Sequence, residues 1–435
     1  MQRIVIVGGG AGGLALATQL GKSLGKKGLA EITLVDAART HVWKPLLHQL
    51  AAGSFDTHAE EIEYLAQARW NHFKFRLGRL EGVDRAGKTL QLAASHDEAG
   101  REITPAQELA YDTLVIAVGS QTNDFGTPGA AEHTIKLDSP QAAKRFNDRL
   151  INACIRAQTV PRSAGSGRLT VAIVGGGATG VELAAELHAS ARVLANYGFD
   201  HIHPEKDLQI VLVEAAPRLL AQLPERLSES AMRELRKLAI EVHTNEKVVE
   251  VTEGSLKMAS GKVISSSLTV WAAGVKAADF LRNLGDEPLE TNKLNQLVVN
   301  GNLQSTRDAS IYAFGDCAAC QQPDGTWVPP RAQAAYQQAM YLVKALPRLQ
   351  RGEPVSPFVF RDQGSLVSLS EYSSVGSLMG SLTKGSFFIE GQLAKFMYWG
   401  LHKQHQLALG GWKKTLLITL SEMIDRTYRP RIKLH

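Results

Sequence analysis

The stretch Arg3–Leu20, RIVIVGGGAGGLALATQL, decides how this chain is read. An apolar, β-branched run over residues 4–7 leads into Gly8, Gly10 and Gly13 in a GxGxxG frame, and a helical apolar pattern follows over residues 12–24. Strand, glycine turn and helix in that order form the context in which the motif means dinucleotide binding. The glycines permit a tight turn and let backbone approach a pyrophosphate at a helix N-terminus. One such motif is weak evidence. Here it returns 167 residues later in Leu169–Leu187, LTVAIVGGGATGVELAAEL, with Gly175, Gly177 and Gly180 in the same frame.

Each loop has a partner strand that ends in an acid. EITLVD ends at Asp36, 23 residues after Gly13, close to the ~20 expected of the carboxylate that binds a ribose hydroxyl. The competing reading of Asp36 is an acid that merely ends a strand in a turn. LQIVLVEAAPR carries Glu214, which can accept from both ribose hydroxyls and would repel a 2′-phosphate, so the second loop reads as a site for NADH rather than NADPH. Arg218 pulls the other way, since an arginine there could hold that phosphate. Glu182, two positions after Gly180, reads as a first-turn carboxylate. It is either favoured by the helix dipole or, because the pyrophosphate should occupy that end, turned toward a nicotinamide stacked on a flavin. Two dinucleotides facing one another is how those two rings meet.

Composition bounds the rest. At 435 residues the chain fits about two or three domains, and 44% hydrophobic with 21% charged residues is ordinary for a globular protein. Three cysteines, Cys154, Cys317 and Cys320, are too few for a disulfide scaffold and fit a reducing compartment. Arg3, an apolar stretch and Ala15-Leu16-Ala17 imitate a signal peptide, but glycines at 8, 9, 10, 12 and 13 break its apolar region. No apolar run reaches the ~18–20 residues of a membrane span. The net charge of +5 sits in the tail: Leu393–His435 carries Lys395, Lys403, Lys413, Lys414, Arg426, Arg429, Arg431 and Lys433 against Glu422 and Asp425, a local +6 that leaves −1 for the remainder. A nucleic-acid partner is therefore not expected, and an anionic surface such as lipid head groups is.

In that tail, apolar residues recur at helical spacing at Leu393, Phe396, Met397, Leu401, then Leu416, Leu417, Leu420 and Ile424, with a break expected at Gly410-Gly411. Basic residues beside Tyr398, Trp399, Trp412 and Tyr428 suit helices lying in a head-group layer; a helical pair packed on its own domain or on a second copy is the alternative.

Two further strands end in glycine turns: YDTLVIAVGS (Tyr111–Ser120) at Gly119-Ser120 and SIYAFGDCA (Ser310–Ala318) at Gly315-Asp316. LTVWAAGVKA (Leu268–Ala277) closes the second nucleotide segment at Ala273-Gly274, and TVPRSAGSGR (Thr159–Arg168) reads as a linker. The expected division is a split first domain at 1–160 and 297–350, an inserted second domain at 161–296, and a C-terminal domain at 351–435. VPPRAQAAYQQA (Val328–Ala339) opens a helix behind Pro329 and Pro330, with Gln333 and Gln337 four apart on one face.

With HVWKPLLHQLAAGS (His41–Ser54), GSLVSLS (Gly364–Ser370) and the ending RPRIKLH, these segments make the chain resemble bacterial type II NADH dehydrogenase, the single-subunit, non-proton-pumping NADH:quinone oxidoreductase, over nearly its whole length. The resemblance implies an α/β protein with two Rossmann-like dinucleotide-binding domains, the two-dinucleotide flavoprotein fold, plus a C-terminal amphipathic helical membrane-anchoring segment. It implies a respiratory electron-transport enzyme with non-covalent FAD, peripheral on the cytoplasmic face of the bacterial inner membrane, passing two electrons from NADH to a quinone such as ubiquinone. A homodimer stays open.

By that resemblance FAD meets Gly8, Gly10, Ala11, Gly12, Gly13, Asp36, Ala37, Lys44, Pro45, Ala117, Gly119, Gly315, Asp316 and Gln333. NADH meets Gly175, Gly177, Ala178, Thr179, Gly180, Glu182, Glu214, Ala215, Ala273 and Gly274. Quinone meets Gln333, Ala334 and Gln337, whose neutral amides can address a carbonyl without placing charge in an apolar channel. Glu182, Gln333 and Lys44 are the expected catalytic residues, Lys44 favouring an anionic reduced flavin. No metal site is expected. Cys317-Ala-Ala-Cys320 invites a disulfide or sulfide:quinone reading, but Cys317 directly follows Asp316, whose backbone is committed to the cofactor. A slow-turnover flavin-bearing signalling protein is the remaining alternative.

Overall fold

A computed structural model describes residues 1–55, 60–97, 99–159, 169–196, 207–285, 287–379 and 386–428. In chain order the elements that matter are β1 (Gln2–Val7), α1 (Ala11–Ser23), β2 (Ala30–Asp36), β3 (Thr40–His41), α2 (Leu47–Ala52), β4 (Ile62–Glu63), α3 (Tyr64–Asn71), β5 (Lys74–Leu77), β6 (Thr113–Ile116), β7 (Ile135–Lys136), α4 (Pro140–Thr159), β8 (Leu169–Val174) and α5 (Ala178–Asn196). They continue with β9 (Leu208–Val213), α6 (Glu225–Lys237), β10 (Glu241–His243), β11 (Leu268–Trp271), β12 (Ile311–Ala313), α7 (Ala332–Leu349), β13 (Gly364–Leu369), β14 (Ser373–Met379), β15 (Ser386–Glu390) and α8 (Gln392–Tyr428).

The first compact unit comprises Met1–Lys44, Glu61–Gln121 and Val275–Arg361. Its centre is a parallel five-stranded sheet in the order β12-β6-β1-β2-β5. Helices cover a sheet of this kind on both faces, so its strands read as unbroken apolar runs; Ile4, Val5, Ile6 and Val7 of β1 and Leu114, Val115 and Ile116 of β6 are all buried. Helix α1 packs against α7 on this sheet.

The second unit comprises Pro45–Glu60, Thr122–Gly274 and Asp362–His435. Its parallel sheet, β7-β11-β8-β9-β10, repeats the plan of the first. The equivalence extends to single bonds: Gly8 N–H donates to the Val35 carbonyl at 2.8 Å, and Gly175 N–H to the Val213 carbonyl at 2.8 Å. An antiparallel sheet, β13-β14-β15, and α8 complete this unit.

These units cut the chain at Gln121 and Gly274, whereas the sequence boundaries stand at 160, 296 and 350. Part of the segment after Thr122 joins the second sheet through β7, whose two residues pair with Val270 and Trp271 of β11, and α4 packs on α2 of the same unit. The linker reading of 159–168 falls, from residue 160 on, outside the described residues, and α4 and β8 on either side of it belong to one unit.

Helix α8 is broken where the sequence marks it: Gly411 has φ 73° and ψ 171°. Lys403 Nζ bonds both carboxylate oxygens of Glu422 at 2.6 Å. Nineteen residues of continuous helix would span roughly 28 Å, so the two arms fold back on each other at Gly411. Phe396, Trp412, Leu416, Leu417, Leu420 and Met423 stand exposed on them. Among the described residues no helix is long and apolar enough to cross a membrane. Arg429, Arg431 and Lys433, and the side chains of Asp425, Arg426 and Tyr428, lie outside the described residues.

Candidate functional site

The first loop is shaped by backbone crowding. A Cβ on Gly8, whose φ is +105°, would sit 2.4 Å from the Ala117 carbonyl oxygen, and one on Gly13 would sit 1.8 Å from the Gly8 carbonyl oxygen. Gly10, by contrast, faces open space and caps α1 with no side-chain bond, and the helix has no acid in its first turn. Four unpaired N–H groups at a positive helix end, open and without a competing carboxylate, suit a pyrophosphate. Asp36 closes the loop, accepting from Gly9 N–H at 2.6 Å and Ala38 N–H at 2.7 Å. Burial pushes its pKa up while those backbone bonds oppose the shift. Ala37 N–H addresses the same carboxylate, so of about four acceptor positions about one remains for a ribose hydroxyl.

The two later strand ends gather beside it. Lys44 Nζ donates to the Ser120 carbonyl at 2.7 Å, Ser120 Oγ donates to Asp316 Oδ2 at 2.7 Å, and Gln296 Nε2 donates to the Asp316 carbonyl at 3.0 Å. Gly315 N–H donates to Gln338 Oε1 at 2.8 Å. Lys44, Gly119, Ser120, Gly315 and Asp316 thus form one connected group, which could cradle the ribityl and ring portions of FAD. The buried Gln338 was not singled out from sequence; the doubled glutamine, Gln337-Gln338, was its one visible signal.

The second loop repeats the geometry. Glu214 accepts from Gly176 N–H at 2.5 Å and Ala216 N–H at 2.7 Å; Gly177 faces open space, and α5 carries no acid in its first turn. Ala178, Thr179 and Ala215 are exposed at the rim, with Gly274 nearby in the turn after β11. Arg218 is not available to a 2′-phosphate: its guanidinium donates to the carbonyls of Leu220, Ala221 and Leu223 at 3.3, 2.8 and 2.9 Å. That removes the one residue that argued for NADPH.

Glu182 differs from its reading as a first-turn residue. The helix starts at Ala178, so Glu182 is its fifth residue and is 6% exposed. Ser368 N–H donates to Oε1 at 3.0 Å, His48 Nδ1 lies 3.5 Å from Oε2, and Tyr398 faces the same carboxyl without a well-aligned hydrogen bond. Burial pushes Glu182 up to about 8 and His48 down to about 4. Near neutral pH the pair is therefore a protonated carboxyl beside a neutral imidazole, not a salt bridge. Glu186, one turn on, is also buried and raised by desolvation, and accepts from Ser54 Oγ at 2.5 Å. Sequence reading missed His48, Ser54 and Glu186; Glu186 sits at i+4 from Glu182, a spacing that was legible.

Gln337 exchanges hydrogen bonds with the Arg361 backbone, donating to its carbonyl at 2.8 Å and accepting from its N–H at 3.1 Å. Gln333, the second residue of α7, is half-buried. Ala334 is 1% exposed, so its methyl group packs inside.

The pyridine nucleotide-disulphide oxidoreductase family matches residues 2–339. A type II NADH:quinone oxidoreductase of Haemophilus influenzae is 41% identical over 447 aligned positions, covering all of both chains. This chain belongs to the type II NADH:quinone oxidoreductases. Another member, from Mycobacterium tuberculosis, is 28% identical over 86% of this chain and 79% of its own. The fold is also that of NDH2 from Plasmodium falciparum solved with NADH, at a TM-score of 0.82 and 20% identity over 99% of this chain and all of that one. A sulfide:quinone oxidoreductase from Aquifex aeolicus shares it at 0.73 and 16%, covering 98% and 95%.

As an NADH:quinone oxidoreductase the protein uses FAD, and the two loops above fit that pairing. The CxxC does not lend itself to sulfur chemistry. Cys317 and Cys320 are both free and fully buried, burial pushes each thiol up to about 11, and Cys317 donates to the Phe314 carbonyl at 3.2 Å. A thiol held so far above neutral pH is a poor nucleophile.

Proposed function

We propose that the first unit holds FAD on the Gly8–Gly13 loop with Asp36, Lys44 and Asp316, and that the second holds NADH on the Gly175–Gly180 loop with Glu214. Bound FAD supplies the hydride-accepting and two-electron-donating chemistry. The residues supply position and charge. Open helix ends at Ala11 and Ala178 draw the pyrophosphates; Glu214 selects an unphosphorylated ribose; Lys44, tied to Ser120, keeps a positive charge beside the site. Reducing a quinone with NADH consumes one solvent proton per turnover. Glu182 is neutral near pH 7 and is our choice for the group that carries it, at Oε2. Gln333 is our choice for the quinone carbonyl donor, with Gln337 holding the Arg361 segment in place.

The observation that carries this reading is the duplicated loop: two open helix N-termini, each closed by an acid that binds the loop's own N–H groups. Anaerobic NADH oxidation with and without a short-chain quinone tests it. Oxidation should become catalytic only with quinone; a rate that does not respond to quinone would overturn it.

We further propose that α8 rests on the cytoplasmic face of the bacterial inner membrane. Its exposed Phe396, Trp412, Leu416 and Leu417 lie beside Lys395, Lys413 and Lys414, and Lys413 Nζ stands 5.7 Å from the centre of the Trp412 ring. Apolar burial plus attraction to anionic head groups is the usual basis of such binding. A homodimer is compatible with this arrangement and is read by light scattering.

A further inference from the structure

The two nucleotide loops hold their middle glycine in different ways. In both, the N–H donates to the acid that ends the partner strand: Gly9 to Asp36 and Gly176 to Glu214. The carbonyls on those glycines part company. The Gly176 carbonyl accepts from a backbone group, the N–H of Leu220 in the turn after β9, at 2.8 Å. The Gly9 carbonyl is met by side chains that belong to neither β1 nor α1. Tyr64 Oη donates to it at 2.8 Å, and the His41 ring faces the same peptide.

Both side chains are buried, at 2% and 3% exposure. Tyr64 stacks on Phe75, ring centres 5.1 Å apart, and lies 6.4 Å from the His41 ring. The short β3–β4 pairing sets them side by side, joining Thr40 to Glu63 and His41 to Ile62, and Tyr64 N–H bonds the Arg39 carbonyl at 3.2 Å. A Cβ on Gly9 would lie 2.4 Å from the Tyr64 hydroxyl, so the ring also fixes how near the loop approaches α3. Burial keeps Tyr64 protonated and His41 neutral across the physiological range, so both remain donors of the right kind.

We propose that Tyr64 and His41 are positioning residues for FAD, clamping the Gly9 peptide so that the N–H groups after it stay aimed at the pyrophosphate. The inference rests on FAD occupying the first loop. It implies that FAD affinity, but not NADH affinity, depends on the β3–β4–α3 segment, because in the second loop the equivalent carbonyl is held by a backbone N–H, that of Leu220.

Tyr64→Phe removes the hydroxyl and keeps the ring; His41→Leu is close in volume and removes the donor. Apoprotein of each, prepared by acid–bromide treatment, is titrated with FAD by fluorescence, alongside apoprotein melting, NADH affinity and turnover per bound flavin. One lost hydrogen bond to a preorganised site corresponds to about a tenfold rise in the FAD dissociation constant. Each variant should show that rise, with NADH affinity and turnover per flavin unchanged and apoprotein melting shifted little. A lowered melting temperature with FAD affinity within twofold of the parent in both variants would make the pair packing residues and overturn the proposal, as would an equal loss of NADH affinity. Parent apoprotein that takes up no FAD would instead remove the assignment of the first loop.

Discussion

Replacing Glu182 with Gln gives the most quantitative test of the buried cluster. The carboxyl has a folded-state pKa of about 8 against an ordinary 4.5, with desolvation as the main cause. A group that binds its proton more tightly in the folded state costs nothing below the unfolded pKa. Its penalty grows as pH rises through the window from about 4.5 to 8 and is complete above it. At 1.36 kcal/mol per pH unit the ceiling is roughly 5 kcal/mol. Relaxation and water entry reduce such figures, and Glu186 shares part of the repulsion, so about 2–4 kcal/mol is expected. The substituted amide would keep the shape and still accept from Ser368 N–H, but it carries no charge to desolvate. Glu182→Gln should therefore melt within about 1 °C of the parent at pH 5 and roughly 2–4 °C above it at pH 9, at about 1 °C per kcal/mol for a chain this long. The assay is thermal unfolding of FAD-saturated protein from pH 5 to 9. A difference that does not change with pH, or a variant less stable than the parent at pH 9, would refute the burial argument. Because the proton on Glu182 is also our candidate for quinone reduction, the same variant should gain stability while turnover falls.

Glu214→Ala leaves the Gly176 and Ala216 N–H groups without their acceptor, so the NADH dissociation constant, read by flavin reduction at increasing NADH, should rise about tenfold or more. Arg218→Ala should change the NADH-to-NADPH preference less than twofold, since its guanidinium is held by three carbonyls. Gln333→Ala should slow reoxidation by quinone at least tenfold in stopped-flow and leave reduction by NADH within twofold; equal damage to both steps would remove its assignment. The protein should pellet with vesicles containing anionic lipid and much less with neutral ones, with binding weakened at higher ionic strength. A truncation ending at Glu390 should lose that binding and keep FAD.

What the sequence disclosed is governed by short-range geometry. The loops were readable because Gly8 and Gly13 sit where any side chain would meet backbone, and Asp36 and Glu214 were readable because their strands are continuous apolar runs. The break in α8 was equally visible, since Gly411 alone in its stretch takes a left-handed φ that other residues avoid. The unit boundary was not visible. It involves long-range contacts such as β7, two residues long, pairing with a strand more than 130 residues away, and no local signal marks a pairing of that length. Gln333 and Gln337 were found as a pair from helical spacing, but the bonds Gln337 makes to the Arg361 backbone depend on where a segment 24 residues on returns. Tyr64, His41 and His48 act through contacts distant in sequence, and nothing in their own neighbourhoods sets them apart from ordinary core residues; Glu186 alone carried a local signal, its i+4 spacing from Glu182.

The central claim is that one loop holds a flavin that NADH reduces and quinone reoxidises. Anaerobic stopped-flow on a single FAD-saturated preparation tests it directly. The account predicts that NADH bleaches the flavin band rapidly, that NADPH at the same concentration does so at least tenfold more slowly, and that added quinone restores the band within the turnover time. Flavin that NADH reduces but quinone does not reoxidise, or that NADPH reduces as fast as NADH, would contradict it.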